Sequence, residues 1–99
     1  MQSNLQFVVG GGLNLTTSAS EATKTVRAGE TYRLSCITAA CVVRFHNSTA
    51  VTTADGGFDF AMQPGESIYV QVPTGITTIR AIQVAAGGSL LIQRVDEGS

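Results

Sequence analysis

The sequence predicts an all-β fold, an antiparallel β-sandwich or jelly roll of about eight strands. Three observations carry this expectation. β-Branched residues are abundant, with 12 Thr and 10 Val among 99 residues, and their stiff side chains suit a pleated surface. Turn-forming pairs recur at short intervals: Ala28-Gly29, Asp55-Gly56-Gly57, Pro64-Gly65, Thr74-Gly75 and Gly87-Gly88. Between them lie short runs that alternate apolar and polar residues, as half-buried strands do.

The expected strands cover residues 13–17, 22–27, 31–37, 41–46, 58–62, 67–72, 77–85 and 89–95. In the third, Tyr32, Leu34 and Cys36 take one face while Thr31, Arg33 and Ser35 take the other. Val43 and Phe45 face inward with Arg44 outward. Phe58, Phe60 and Met62 form a row opposite Asp59 and Ala61. Ile68, Val70 and Val72 repeat the alternation and leave Tyr69 on the outside. Ile79, Ile82 and Val84 change phase within one run, which suggests a bulge near Arg80-Ala81. Leu90, Leu91, Ile92 and Val95 place apolar groups on both faces, as a covered strand or an interface strand does. Gly87-Gly88 reads as a tight hairpin turn.

A faint internal repeat has an offset of 36. Residues 28–34 (Ala-Gly-Glu-Thr-Tyr-Arg-Leu) match residues 64–70 (Pro-Gly-Glu-Ser-Ile-Tyr-Val), and Arg44 then falls on Arg80. It suggests two matching β-hairpins in a pseudo-symmetric sandwich, or merely the likeness of all hairpins.

Near the start, Leu5, Phe7, Val8 and Val9 precede Gly10-Gly11-Gly12. Glycine weakens a strand, so the triplet reads as a hinge. The expected organisation is an arm over 1–12 and one body over 13–99.

Composition narrows function. The net charge is −1, the five Arg are dispersed and Lys24 is the sole lysine, so no basic stripe exists for nucleic acid. No cationic amphipathic helix is expected for a membrane surface. The apolar stretch from Leu5 to Leu13 is too short to span a bilayer as a helix, and no cation precedes Lys24 to make a secretory n-region. Charged residues are only 13%, against about 25% in an ordinary domain. Such a surface is small or is covered by partners.

No constellation for catalysis emerges. His46 is the single histidine, no Gly-x-Ser-x-Gly elbow accompanies it, and it reads as a solvated strand end. Glu30 and Glu66 occupy matching repeat positions, but each follows a turn glycine. Asp55 and Asp59 flank a Gly-Gly turn. Gly10-Gly11-Gly12 lacks the helix start and lysine of a phosphate cradle. Cys36 and Cys41 suggest two free or buried thiols, with a short disulfide the alternative, and a metal would need ligands beyond His46. No catalytic residue, cofactor or metal is expected. The sequons at Asn14 and Asn47 read as chance matches in a Thr-rich chain.

Taken together, the 27–34 segment, Ala40-Cys41-Val42-Val43-Arg44-Phe45, Asp55-Gly56-Gly57-Phe58-Asp59-Phe60, Gln63-Pro64-Gly65-Glu66 and Gly88-Ser89-Leu90-Leu91-Ile92-Gln93-Arg94-Val95 resemble small β-sandwich structural proteins of tailed bacteriophages. The likeness covers about residues 22–95. It departs at His46, where a glycine would be expected. The resemblance implies a non-enzymatic virion protein, foremost a capsid decoration or cement protein. Such a protein would bind the major capsid protein on the capsid surface and form a homo-oligomer, with a trimer favoured. A tail, fibre or head-tail component and a carbohydrate-binding module are the alternatives. The absence of Trp speaks against the last. The expected interface residues are Leu5, Phe7, Val8 and Val9 of the arm, with Leu91 and Val95 of the last strand.

Overall fold

Alternation of apolar side chains becomes two apolar sheet faces, and these close on each other. The computed structural model describes the backbone of residues 4–98 and the side chains of residues 7–95. Eight strands form: β1 (Asn4–Thr16), β2 (Ala22–Thr25), β3 (Thr31–Ile37), β4 (Cys41–Phe45), β5 (Phe60–Met62), β6 (Ser67–Gln71), β7 (Thr78–Gln83) and β8 (Ser89–Gly98). Sheet A has the order β1-β8-β3-β6 and sheet B the order β2-β7-β4-β5, with every pairing antiparallel. This is the strand order of a jelly roll.

The core is the filling between the sheets. Leu15, Tyr32, Leu34, Cys36, Leu90 and Ile92 enter from sheet A; Cys41, Val43, Met62, Ile79 and Ala81 enter from sheet B. Each of these side chains removes roughly 1.5–3 kcal/mol of apolar exposure when large, and less for Ala and Cys. Tyr32 reaches the end of the sandwich, where its hydroxyl accepts the Arg27 backbone N–H at 2.9 Å. That bond satisfies the one polar atom such a ring carries inside.

Connections differ from the expected hairpins. Only β4 and β5 are sequential neighbours in one sheet; every other link crosses between sheets. Gly87-Gly88 is such a crossing. Gly88 is pressed against Ala39, and a Cβ there would lie 2.7 Å from the Ala39 carbonyl oxygen.

The offset of 36 has a structural basis in a pseudo-two-fold relation. Gly29 N–H donates to Val72 O, and Gly65 N–H donates to Cys36 O. Val72 N–H donates to Glu30 O, and Cys36 N–H donates to Glu66 O. Each bond is its partner shifted by 36, and both glycines sit at positive φ (79° and 88°), which they adopt without a Cβ clash. Arg33 pairs with Tyr69 in sheet A and Arg44 with Arg80 in sheet B, again offset by 36. The repeated units are sheet-crossing corners, β3–β4 and β6–β7, rather than hairpins.

Two further expectations are corrected. The expected arm over 1–12, in its described part from Asn4 on, is not separate from the body, because β1 runs to Thr16 and pairs Asn4–Phe7 with Val95–Gly98. The glycine triplet forms a bulge, not a hinge: five steps on β1 (Phe7 to Gly12) oppose two on β8 (Val95 to Gln93), and Gly10 has φ +71°. The bulge near Arg80-Ala81 is absent, since β7 keeps an unbroken register with β2 and β4. Ile82 changes phase because it lies on the outer face, opposite Val42, while Ile79 and Ala81 face the core.

Candidate interaction surfaces

The two outer faces of the sandwich are treated differently by the chain. Over sheet B, the segment 46–59 is tied back on the outside. Arg80 does most of the tying: its Nη1 donates to Glu21 Oε1, its Nε to His46 O and its Nη2 to Asn47 O, each at 2.7 Å. Glu21 uses its other oxygen to accept the Val51 N–H at 2.6 Å. Arg44 donates to Gly56 O, and Asn47 bridges Gly75 O and Thr77 N–H. Val42 and Val51 are buried outside the central cluster. Sequence reading did not find this clamp, since Glu21 and Arg80 are 59 residues apart.

The outer face of sheet A has no such cover among the described residues. Register places Phe7, Asn14 and Thr16 of β1 on it, with Ser89, Leu91, Gln93 and Val95 of β8, Thr31, Arg33, Ser35 and Ile37 of β3, and Ser67, Tyr69 and Gln71 of β6. Arg33 is its one charged side chain among the described residues. The guanidinium lies 5.9 Å from the centre of the Phe7 ring, in cation–π range. Phe7, Ile37 and Tyr69 are 49%, 41% and 53% exposed, which makes them the apolar contacts that water reaches on this face.

Of the six expected interface residues, Phe7, Leu91 and Val95 come together here. Val95 is itself only 2% exposed, flanked by Phe7 and Thr31, so it supports the face rather than offering contact. Val8 and Val9 leave the face at the bulge. Val9 is almost fully exposed, and Val8 lines a cleft of about 320 Å³ with Leu13, Val26, Arg27 and Arg94. Arg94 Nε is buried there without a hydrogen-bond partner. The side chain of Leu5 lies outside the described residues. Ile37 and Tyr69 are the additions that the structure makes; alternation alone places Tyr69 on the outside, whereas Ile37 is the end residue of its expected strand.

Groups that carry chemistry elsewhere serve local structure here. His46 Nδ1 accepts the backbone N–H of Ser48 and Thr49 at 3.1 and 2.9 Å. Asp59 accepts the Phe45 N–H and Glu66 the Gln63 N–H, so both carboxylates hold turns. Among the described residues, no group of three His, Cys, Asp or Glu is placed to hold a metal ion. Cys36 and Cys41 are free, buried thiols. Cys36 Sγ donates to Ala39 O at 3.1 Å. Burial, then the neighbouring Cys36, pushes the Cys41 thiol up to about 12. A thiol held protonated in this way is a poor nucleophile.

Comparison with known proteins supports the architecture alone. No family model matches the chain, and neither does any curated protein sequence. Among solved structures it is similar to a de novo designed double-stranded β-helix determined by solution NMR, at 16% identity and a TM-score of 0.51. The likeness covers 86% of this chain and 95% of the designed one. Double-stranded β-helix and jelly roll describe one winding of eight strands, which agrees with the strand order above.

Proposed function

We propose that this chain is a non-enzymatic virion structural protein, a capsid decoration protein that attaches to the major capsid protein. The observation that carries the reading is the contrast between the two outer faces. Sheet B is partly covered by the chain's own loop. Sheet A presents four strands, one charge among the described residues, and the partly exposed Phe7, Ile37 and Tyr69. A broad, rigid, charge-poor face suits attachment to another protein surface, where desolvating charge would be costly. Jelly rolls occur in viral capsid proteins, and also in lectins and cupins.

The test is localisation on the particle. Electron cryomicroscopy of virions containing the protein should place it on the head with sheet A toward the shell. Replacing the exposed Phe7 and Ile37 together by Glu should abolish attachment while the chain stays folded, with a modest fall in melting temperature where Phe7 no longer covers Val95. Density on the tail or fibres, or an attachment unaffected by the double substitution, would overturn the reading.

A further inference from the structure

We propose that the free edge of β6 pairs antiparallel with the same edge of a second copy, centred on Tyr69, to make a two-fold dimer with a continuous sheet A. The case starts with the vacancy. Under the 36-residue relation, β6 is the counterpart of β3, yet β3 has a neighbour on both sides and β6 on one. The neighbour that β3 has and β6 lacks is β8, and the segment equivalent to residues 89–95 is 53–59. Those residues form no strand and belong to the loop tied over sheet B. The position beside β6 is therefore left open by the fold's own symmetry.

The open edge carries a self-complementary set of groups. Cys36 N–H donates to Glu66 O and Val72 N–H to Glu30 O. These bonds point the even-numbered residues of the strand toward β3, so the N–H and C=O of Ser67, Tyr69 and Gln71 point away. None of these three backbones makes a bond elsewhere in turns or loops. A second β6 laid antiparallel with Tyr69 opposite Tyr69 sets Ser67 opposite Gln71 on either side. All three donors and all three acceptors of each copy are then paired. The same register puts Ile68 of one copy opposite Val70 of the other. Both are half-buried on the core side, and the partner strand would cover what remains exposed.

Nothing on this strand opposes self-pairing. Natural edge strands are blunted by Lys, Pro, bulges or brevity. β1 has its bulge, β2 has four residues and Lys24, and β5 has three residues. β6 is Ser-Ile-Tyr-Val-Gln, uncharged and regular through all five residues. With no charge in the strand, a two-fold axis brings no like charges together. A peptide from an unrelated protein could use the same donors; a second β6 matches in addition the apolar and polar alternation on both faces. A two-fold dimer differs from the trimer that the resemblance implies.

The experiment is sedimentation of the intact chain over a range of concentrations, with amide exchange followed by NMR. The interface is smaller than about 1,200 Å², so a dissociation constant on the order of 10–100 μM is expected. The amides of Ser67, Tyr69 and Gln71 should slow in exchange as concentration rises, while those of Asn14 and Thr16 on the other edge should not. Tyr69→Lys places two ammonium groups side by side at the axis and should weaken the dimer at least about tenfold. Tyr69→Pro removes an outward N–H, which an edge strand tolerates, and should weaken it as well. If the proline variant fails to fold, the lysine variant and the exchange pattern decide alone. A parent that stays monomeric at ten times the highest expected dissociation constant would overturn the proposal. So would a dimer that persists with Tyr69→Lys, or protection that rises at β1 instead.

Discussion

Arg44 and Arg80 stand opposite each other in the β4–β7 ladder, on the outer face of sheet B, exactly one repeat offset apart. Two like charges directly opposed should repel. Both are spent on the same segment instead: Arg44 donates to Gly56 O, and Arg80 to His46 O, Asn47 O and Glu21. The pair thus converts a repulsive position into an anchor for residues 46–59.

Arg80→Ala should therefore lower stability by about 2–3 kcal/mol, because it leaves Glu21 and two carbonyls short of a charged donor. Arg80→Lys should recover less than half of this, since a point charge cannot serve three acceptors in a fork. Glu21→Gln should cost about 1–2 kcal/mol. Urea unfolding of Arg80→Ala, Glu21→Gln and the variant carrying both measures the coupling. Additive losses would show that the clamp is not a unit.

Gly88→Ala tests the close approach of the last sheet crossing to Ala39. The added methyl would meet the Ala39 carbonyl at 2.7 Å, and backbone there cannot yield cheaply. A loss of about 1–3 kcal/mol is expected, a melting temperature lower by roughly 4–24 °C for a domain of this size. An unchanged melting curve would mean that the β7–β8 link has room to spare.

Cys41 makes stability depend on alkaline pH. Its thiol is raised from 9.0 to about 12 in the folded chain, by burial first and by Cys36 second. The folded state holds the proton more tightly than the unfolded state. The contribution is therefore fully present below pH 9 and is lost progressively as pH rises from 9 to about 12. Urea midpoints measured at pH 8 and pH 10.5 should differ more for the parent than for Cys41→Ala. In the native state at pH 8 both thiols should resist a disulfide-exchange reagent, and reductant should leave the melting temperature unchanged.

Deleting residues 1–12 should destabilise the chain rather than release an idle tail. The segment from Asn4 to Phe7 pairs with β8, and Phe7 flanks the buried Val95. A fall of at least about 1–2 kcal/mol is expected from the lost ladder and the uncovered valine. Thermal melting measures it, and a melting temperature equal to the parent's would restore the arm.

What could be read from sequence was set by side-chain alternation. β3 was legible in full, because Tyr32, Leu34 and Cys36 alternate without interruption and face one core. The inward rows of β4, β5 and β6 followed for the same reason. The first half of β1 was not legible, because its glycines carry no strand preference and its bulge shifts phase against β8. Ile82 misled because the outer face of sheet B is itself partly covered, so apolar character no longer marks the core side. Pairing partners lay beyond reach altogether. Alternation says which face a residue takes and not which strand lies beside it, so repeated corners looked like hairpins. The bare face of sheet A was half visible through Phe7, Leu91 and Val95, but its bareness depends on where the 46–59 loop goes. That loop is held by an ion pair 59 residues apart in sequence, which no local pattern announces.

The crossing of nearly every connection between sheets also bears on how the chain reaches this state. Only the β4–β5 pairing closes within one hairpin; β1–β8, β2–β7 and β3–β8 must each join the two ends of a long loop. The loop entropy of those closures is lost before most of the core is in place, which puts folding in the millisecond-to-second range typical of non-local β topologies. β1 cannot find its neighbour until the C-terminal strand has been made. During synthesis the longest strand would therefore wait unpaired until β8 has emerged, and its Gly10-Gly11-Gly12 run, with little strand preference, weakens any pairing with another nascent chain meanwhile.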